Sequence, residues 1–499
     1  MFRVTFVLAC SLFWLCAIAG GLELWARWFP AAVPSAPNTI CFSLAQARET
    51  YTSVYERFLK PWPAPMPTLP PIERYGMQDD AQRQATAETR GEWAVLVDSE
   101  FRVVRTYGAA PADHGEWAAH ATPGCPLASL ADARAGEEMQ GRLKSLFEGG
   151  FGASMHVDLP PEGSAGAARM DARFVPVRHD RKVRQAIVAF RPSVWMPGGK
   201  KHFAPRVSLI DNADIMMMER FTTNNLGYRG PDVAIPKPAG RLRIVCVGGS
   251  TTVSGYDDRM TYPAMLQCML REKFSQAADR IEVVNCGIFG LVSAEELEMQ
   301  PEILAMEPDI ILYYNGINDL TTHYRAWLAS DEAWSTAGDK LRRWLGRSVF
   351  VHRFWNAETI PGDADFGKMI QSSSMDNLEK LYMGYQEHGA AVVACSFSGP
   401  DPDALSPDDR LYADTQFVPQ WFFDMNLRSY THVRRLFNAA LKDLCARKNL
   451  VYLPVAEEHH AGFDQFTDLC HMTPQGIENK ARIVFNHIAP LVGERLGKS

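Results

Sequence analysis

Positive charge is in short supply in this sequence. Lys and Arg number 51 against 58 Asp and Glu, a formal net charge of −7, so no global basic field argues for nucleic acid as a partner. The ten cysteines form no CxxC pair and no zinc-like Cys/His spacing, which excludes a disulfide scaffold and offers no ready metal framework. Cys246, Cys286 and Cys395 sit in or beside apolar runs and read as small core residues. Scattered thiols of this kind argue against an oxidising compartment. No internal repeat is visible. With 46% hydrophobic and 22% charged residues, the chain is neither disordered nor a multi-span membrane protein.

A long uncharged apolar run stands at residues 4–22, VTFVLACSLFWLCAIAGGL. At about 1.5 Å per residue it reaches roughly 28 Å, close to the hydrocarbon thickness of a bilayer. Glu23, Trp25, Arg27 and Trp28 follow as an interfacial collar. A retained single-pass anchor is the reading adopted. A signal peptide cleaved at AIA, residues 17–19, and a buried core helix compete with it. Arg3 and Arg27 nearly balance across the run and leave its orientation open.

Residues 43–59 have helical spacing, and KPWPAPMPTLPP at 60–71 is an extended linker. Residues 92–192 then read as two strands around Asp98-Ser99-Glu100, a helical stretch ending at Gly149-Gly150, and three β-rich runs. That order resembles a PAS-like sensor domain. MPGGKKHFAP at 196–205 is the next linker. Beyond it, apolar runs at 243–248, around 281–287, at 309–316, and within GAAVVACSF and LVYLPVA alternate with helical stretches. Repeated β-α-β of this kind means a parallel sheet covered on both faces, with sites at the carboxyl ends of the strands. The boundaries expected are 1–29 for the anchor or signal segment, 30–90 for the helix and linker, 91–195 for the PAS-like α+β domain and 206–499 for the α/β domain.

The strand RIVCVG runs into Gly248-Gly249-Ser250-Thr251-Thr252. A phosphate-cradling loop, a nucleophile on a tight turn and an ordinary turn all answer to that pattern. The stretch lacks the Gly-x4-Gly-Lys-Ser/Thr spacing of a P-loop, the G-x-G-x-x-G of a dinucleotide fold and the last glycine of a G-x-S-x-G elbow. Three further stretches weigh for the nucleophile. NCGIFG puts Gly287 and Gly290 past a strand end, where a glycine can turn its N–H toward open space. YYNGINDL puts Gly316, Asn318 and Asp319 at another strand end, and FTDLCH holds Asp468 and His471 three apart. On a helical turn that spacing places carboxylate and imidazole on one side.

Together, GGSTT, the glycine of GIFG, GIND and DLCH resemble the SGNH (GDSL) hydrolase family over about residues 206–496. NNLGYRGPD at 224–232 and TYPAML at 261–266 resemble its membrane-anchored bacterial branch, where the first block is often GGST. Gly249 stands where the family usually has aspartate, which leaves the serine intact but puts a lipase-like substrate preference in doubt. The resemblance implies a flavodoxin-like three-layer α/β/α sandwich. It implies Ser250 as nucleophile, His471 as general base, Asp468 to orient it, and an oxyanion hole of the Ser250 N–H, the Gly290 N–H and the Asn318 amide. Gly290 is preferred to Gly287 because Gly287 can simply end the strand. No metal or organic cofactor is implied. The expected activity is ester hydrolysis by a membrane-tethered carboxylesterase or carbohydrate O-deacetylase outside the cytoplasm, acting on an acylated small molecule or carbohydrate. An acyltransferase to a sugar hydroxyl shares the same triad, and a non-catalytic sensor or scaffold is the rival from another class.

Other residues have blander readings. His459-His460, after Glu457-Glu458, could be a metal pair but are expected on a solvated loop. Asp319 is expected to brace its loop, Cys470 to pack inward, and His323 and Tyr324 to line the pocket or lie on a helix surface. Trp421-Phe422-Phe423 would form an apolar lid or core.

Overall fold

A computed structural model describes residues 78–90, 92–108, 119–130, 133–149, 153–159, 168–179, 182–193, 195–196, 201–212, 218–328, 336–346, 363–413 and 427–498. The span expected at 4–22, the 43–59 helix, the 60–71 linker and Trp421-Phe422-Phe423 lie outside the described residues. Among the described residues no helix is long and apolar enough to cross a membrane. The chain divides into two compact units, one drawn from residues 61–213 and 219–232, the other chiefly 233–499.

The first unit is a five-stranded antiparallel sheet in the order β2-β1-β5-β4-β3. Its strands are β1 (Trp93–Val97), β2 (Val103–Tyr107), β3 (Ala153–Leu159), β4 (Ala168–His179) and β5 (Lys182–Pro192). Asp98 Oδ1 accepts from the Glu100 and Arg102 N–H groups, which makes the polar turn between β1 and β2. Alternation sends Trp93, Val95 and Val97 to one face, against Met139, Leu143 and Leu146 of helix α2 (Ala133–Gly149). Ala94 and Leu96 face the other way, toward Ala87 of helix α1 (Asp80–Arg90).

Residues 206–232 do not open the α/β unit as the sequence pattern led us to expect. β6 (Ser208–Asn212) and β7 (Met218–Thr222) form their own two-stranded sheet. The stretch at 224–232 folds onto itself, Asn224 Oδ1 accepting from the Leu226 and Tyr228 N–H groups. Gly227 closes against Phe203 and His202, where a Cβ would meet the Phe203 carbonyl at 2.3 Å. These local ties group 219–232 with the first unit.

The second unit has five parallel strands in the order β12-β11-β10-β8-β9. They are β8 (Leu242–Gly248), β9 (Ile281–Gly287), β10 (Ile310–Tyr314), β11 (Ala391–Cys395) and β12 (Val451–Leu453). In chain order this is the 2-1-3-4-5 arrangement of a flavodoxin-like sheet. β8 and β10 are buried along their whole length, as strands covered on both faces must be. Helix α3 (Ser250–Val253) caps β8; α4 (Tyr262–Lys273), α5 (Ser293–Leu304), α6 (Ile317–Leu328), α7 (Asp376–Glu387), α8 (Leu427–Lys448) and α9 (Pro474–Lys498) follow. Cys246, Cys286 and Cys395 are buried free thiols in the sheet, as their apolar surroundings predicted. The order reverses between β8 and β10, so the crevice at their carboxyl ends is where such a sheet binds ligands.

Candidate active site

Gly248-Gly249 brings the chain out of β8 at that crevice, and Ser250 begins α3. The second glycine is a matter of space. A Cβ on Gly249 would lie 2.7 Å from Asn318 Nδ2 and 3.0 Å from Asn315 Oδ1. Both asparagines come off the end of β10, so the tight turn lets the serine sit beside them.

His471 Nε2 lies 2.8 Å from Ser250 Oγ, and His471 Nδ1 lies 2.6 Å from Asp468 Oδ2. Asp468 Oδ1 accepts from the backbone N–H groups of Cys470 and His471, each at 2.7 Å. Burial pushes the Asp468 pKa up, but the charge of His471 and the hydrogen bonds from its ring and from both amides outweigh that and hold it at about 2. A carboxylate fixed in this way keeps the proton on Nδ1 and leaves Nε2 to take one from the hydroxyl. Ser250, Asp468 and His471 open on a shared cleft with Ile317, Asn318, Thr321, Arg325, Tyr430, Leu469 and Cys470.

Gly290 has φ +72° with open space where a Cβ would point. The next residue is the anchor of its loop. The Leu291 carbonyl accepts from Asn318 Nδ2 at 2.9 Å and Asn315 Nδ2 at 3.0 Å. Asn315 Nδ2 also donates to Glu296, which takes the Tyr313 hydroxyl as well. Burial pushes Glu296 up to about 8 against those two hydrogen bonds. Gly287 ends β9, and its N–H is taken by Asn285 Oδ1 at 3.1 Å. Asp319 accepts from the Ser293 N–H at 2.9 Å and from the Ser293 hydroxyl, bracing the start of α5 as expected.

One expectation needs correction. His459 is buried, packed against the Phe466 ring and bonded to Gln465; of the two, only His460 is solvent-facing, and it pairs with Asp401. Glu457 and Glu458 are engaged elsewhere, by Ser396 with Tyr452 and by His487 respectively. Cys470 lines the cleft, with Sγ 3.4 Å from His471 Nδ1. His323 and Tyr324 lie on α6, their side chains outside the described residues. Thr321 and Arg325 were missed, although their spacing from Asn318 on one helix could have found them. Tyr430, whose hydroxyl donates to the Leu469 carbonyl, carried no local signal.

A serine, histidine and aspartate in hydrogen-bonded series at the switch point of a doubly wound sheet define a serine hydrolase. Residues 246–478 match the GDSL-like Lipase/Acylhydrolase family, and the protein is a serine esterase/hydrolase. No curated protein matches the chain significantly. Similar solved structures include TesA, at 17% identity over 50% of this chain and 99% of that one, TM-score 0.32. A GDSL-like lipase from Bacteroides thetaiotaomicron is 14% identical over 52% and 93%, TM-score 0.29. A catalytic mutant of Axe2, an acetylxylan esterase from Geobacillus stearothermophilus, is 13% identical over 50% and 94%, TM-score 0.31.

Asn318→Ala is expected to lower kcat on an aryl ester by about 10²–10³, or roughly 3–4 kcal/mol, the typical loss of one oxyanion donor. KM should move far less, because the contact strengthens as charge develops. Steady-state kinetics decide the point: an effect confined to KM assigns Asn318 to substrate binding.

Proposed function

We propose that this protein is a membrane-tethered ester hydrolase that acts on acylated carbohydrate or another small acyl ester, through an acyl-enzyme on Ser250. The 2.8 Å contact between His471 Nε2 and Ser250 Oγ, backed by Asp468, carries this reading. His471 takes the hydroxyl proton as Oγ attacks the acyl carbon. The oxyanion is received by the Ser250 N–H, the Gly290 N–H and the Asn318 amide. His471 then returns the proton to the departing alkoxide, and water repeats the sequence to release the acid. The Arg325 guanidinium along the cleft suits an oxygen-rich alcohol.

The unit at 92–192 is read as PAS-like, supported by its five-stranded antiparallel order and the helical connection between β2 and β3. It would modulate the enzyme rather than supply chemistry. The apolar run at 4–22 supports a single-pass anchor in the cytoplasmic membrane with the enzyme outside. Alkaline phosphatase fused after Ser499 is active in that orientation, and an inactive fusion reverses it.

Incubation with an acetylated oligosaccharide, with and without an added sugar acceptor, tests the reaction. Free acetate in both cases is the expected result. Acetylated acceptor in place of acetate makes the protein an acyltransferase. Failure of a fluorophosphonate probe to label Ser250, with no ester cleaved, leaves the scaffold reading.

A further inference from the structure

We propose that Lys480 is a positioning residue for the nucleophile, its side chain holding the Thr251 carbonyl from behind while His471 engages Ser250 from the cleft. The inference rests on Ser250 being the nucleophile. α9 begins three residues after His471 and carries Lys480, so one short segment reaches both sides of the nucleophile turn. Lys480 Nζ donates to the Thr251 carbonyl at 2.7 Å. It lies 4.4 Å from the Tyr262 ring centroid and 4.3 Å from that of Tyr314.

Lys480 is 1% exposed. No carboxylate among the described residues pairs with it. The titratable groups facing it are Cys246 of β8, Tyr262 of α4, Tyr314 of β10, Cys395 of β11, and Cys470 and His459 from the connecting segments. An ammonium buried without a counter-ion is costly, and a methionine would fill the same space without that penalty. What the lysine adds lies at the junction of α3 and β10. α3 is a single turn of four residues with few backbone bonds of its own. Thr252 Oγ1 ties it to the Tyr314 carbonyl at 3.0 Å, and Tyr314 is the end of the strand that delivers Asn318. The two tyrosine faces also stabilise a cation directly. The clamp therefore bears on the hydroxyl and on one proposed oxyanion donor together.

Burial pushes the Lys480 pKa down to about 7, with the nearby thiols opposing the shift. Below that value the clamp is an ammonium; above it the charge is lost and the hydrogen bond to Thr251 weakens. The wild-type kcat should accordingly fall on the alkaline side.

Wild type, Lys480→Met, Lys480→Arg and Ser250→Ala are to be compared on one aryl ester, with kcat and KM followed from about pH 6 to 10 and Tm measured for each. Lys480→Met should lose about tenfold or more in kcat, since small displacements of a reacting group cost up to about 10²-fold. Its KM should stay within about threefold and its Tm should not fall, because a buried charge has been removed. Lys480→Arg, whose guanidinium stays charged, should recover part of the rate and lack the alkaline limb. A Lys480→Met enzyme with wild-type kcat overturns the proposal, and so does a loss of kcat that only tracks a fall in Tm. If Lys480→Met does not fold, Lys480→Leu, which also removes the donor, takes its place, and wild-type kcat in that variant overturns the proposal. An active Ser250→Ala overturns the nucleophile assignment itself. An inactive Ser250→Ala beside a fully active Lys480→Met overturns only the role of Lys480.

Discussion

Ser250→Ala should lower kcat on a short-chain aryl ester by about 10⁴-fold or more, the loss seen when the nucleophile of a serine triad is removed. The fold should not notice. Oγ is bonded to His471 Nε2, and the turn around it is held by backbone contacts, Ser254 N–H to the Ser250 carbonyl at 2.8 Å and Thr252 N–H to the Gly249 carbonyl at 3.0 Å. Alanine keeps all of those. Equal melting temperatures with no ester turnover is thus the expected pair of results. Activity within about threefold of wild type would remove Ser250 from the mechanism and leave its contact with His471 incidental.

Asp468→Asn should cost nearly as much, roughly 10³–10⁴ in kcat, and the backbone explains why. Oδ1 accepts from two N–H groups, those of Cys470 and His471. An asparagine must keep its carbonyl oxygen there, because its NH₂ cannot accept them. That turns the NH₂ toward His471 Nδ1. The imidazole must then accept at Nδ1 and carry its proton on Nε2, where it can no longer take one from Ser250. Two amides thus select the wrong tautomer. The pH profile provides the check. A variant that keeps more than about a tenth of wild-type kcat near neutrality would show that the carboxylate does not set the tautomer.

What could be read from the sequence was what lies in short stretches. The unbroken apolar runs of β8 and β10 announce strands covered on both faces, and the residues just after them are the ones that face the crevice. Asp468 and His471 are three apart, so their pairing is local. The strand order is a different matter: β10 pairs with β8 across more than sixty residues, and nothing local encodes it. Lys480 reads as an ordinary helix lysine, because its burial depends on the sheet against which α9 packs. Glu296 reads as a favourable first-turn acid, yet Tyr313 and Asn315 arrive from the end of β10 to cover it. His459 failed for the opposite reason. A polar neighbourhood in sequence suggested solvent, while Phe466 and Gln465, only a few residues later, enclose it. The division near residue 232 escaped notice because the ties that set it, Asn224 to Tyr228 and Gly227 to Phe203, are invisible to a strand–helix pattern.

The missing side chain at position 249 leaves room for the Asn318 amide beside the serine. An aspartate there would drive a Cβ to 2.7 Å from the Asn318 amide and 3.0 Å from Asn315. Both are the ends of side chains, so the backbone survives the insertion and the loss falls on the position of the amide. Substitutions at 249, 315 and 318 should therefore not be additive. A side chain at 249 would therefore set where the Asn318 amide can lie without touching the serine itself.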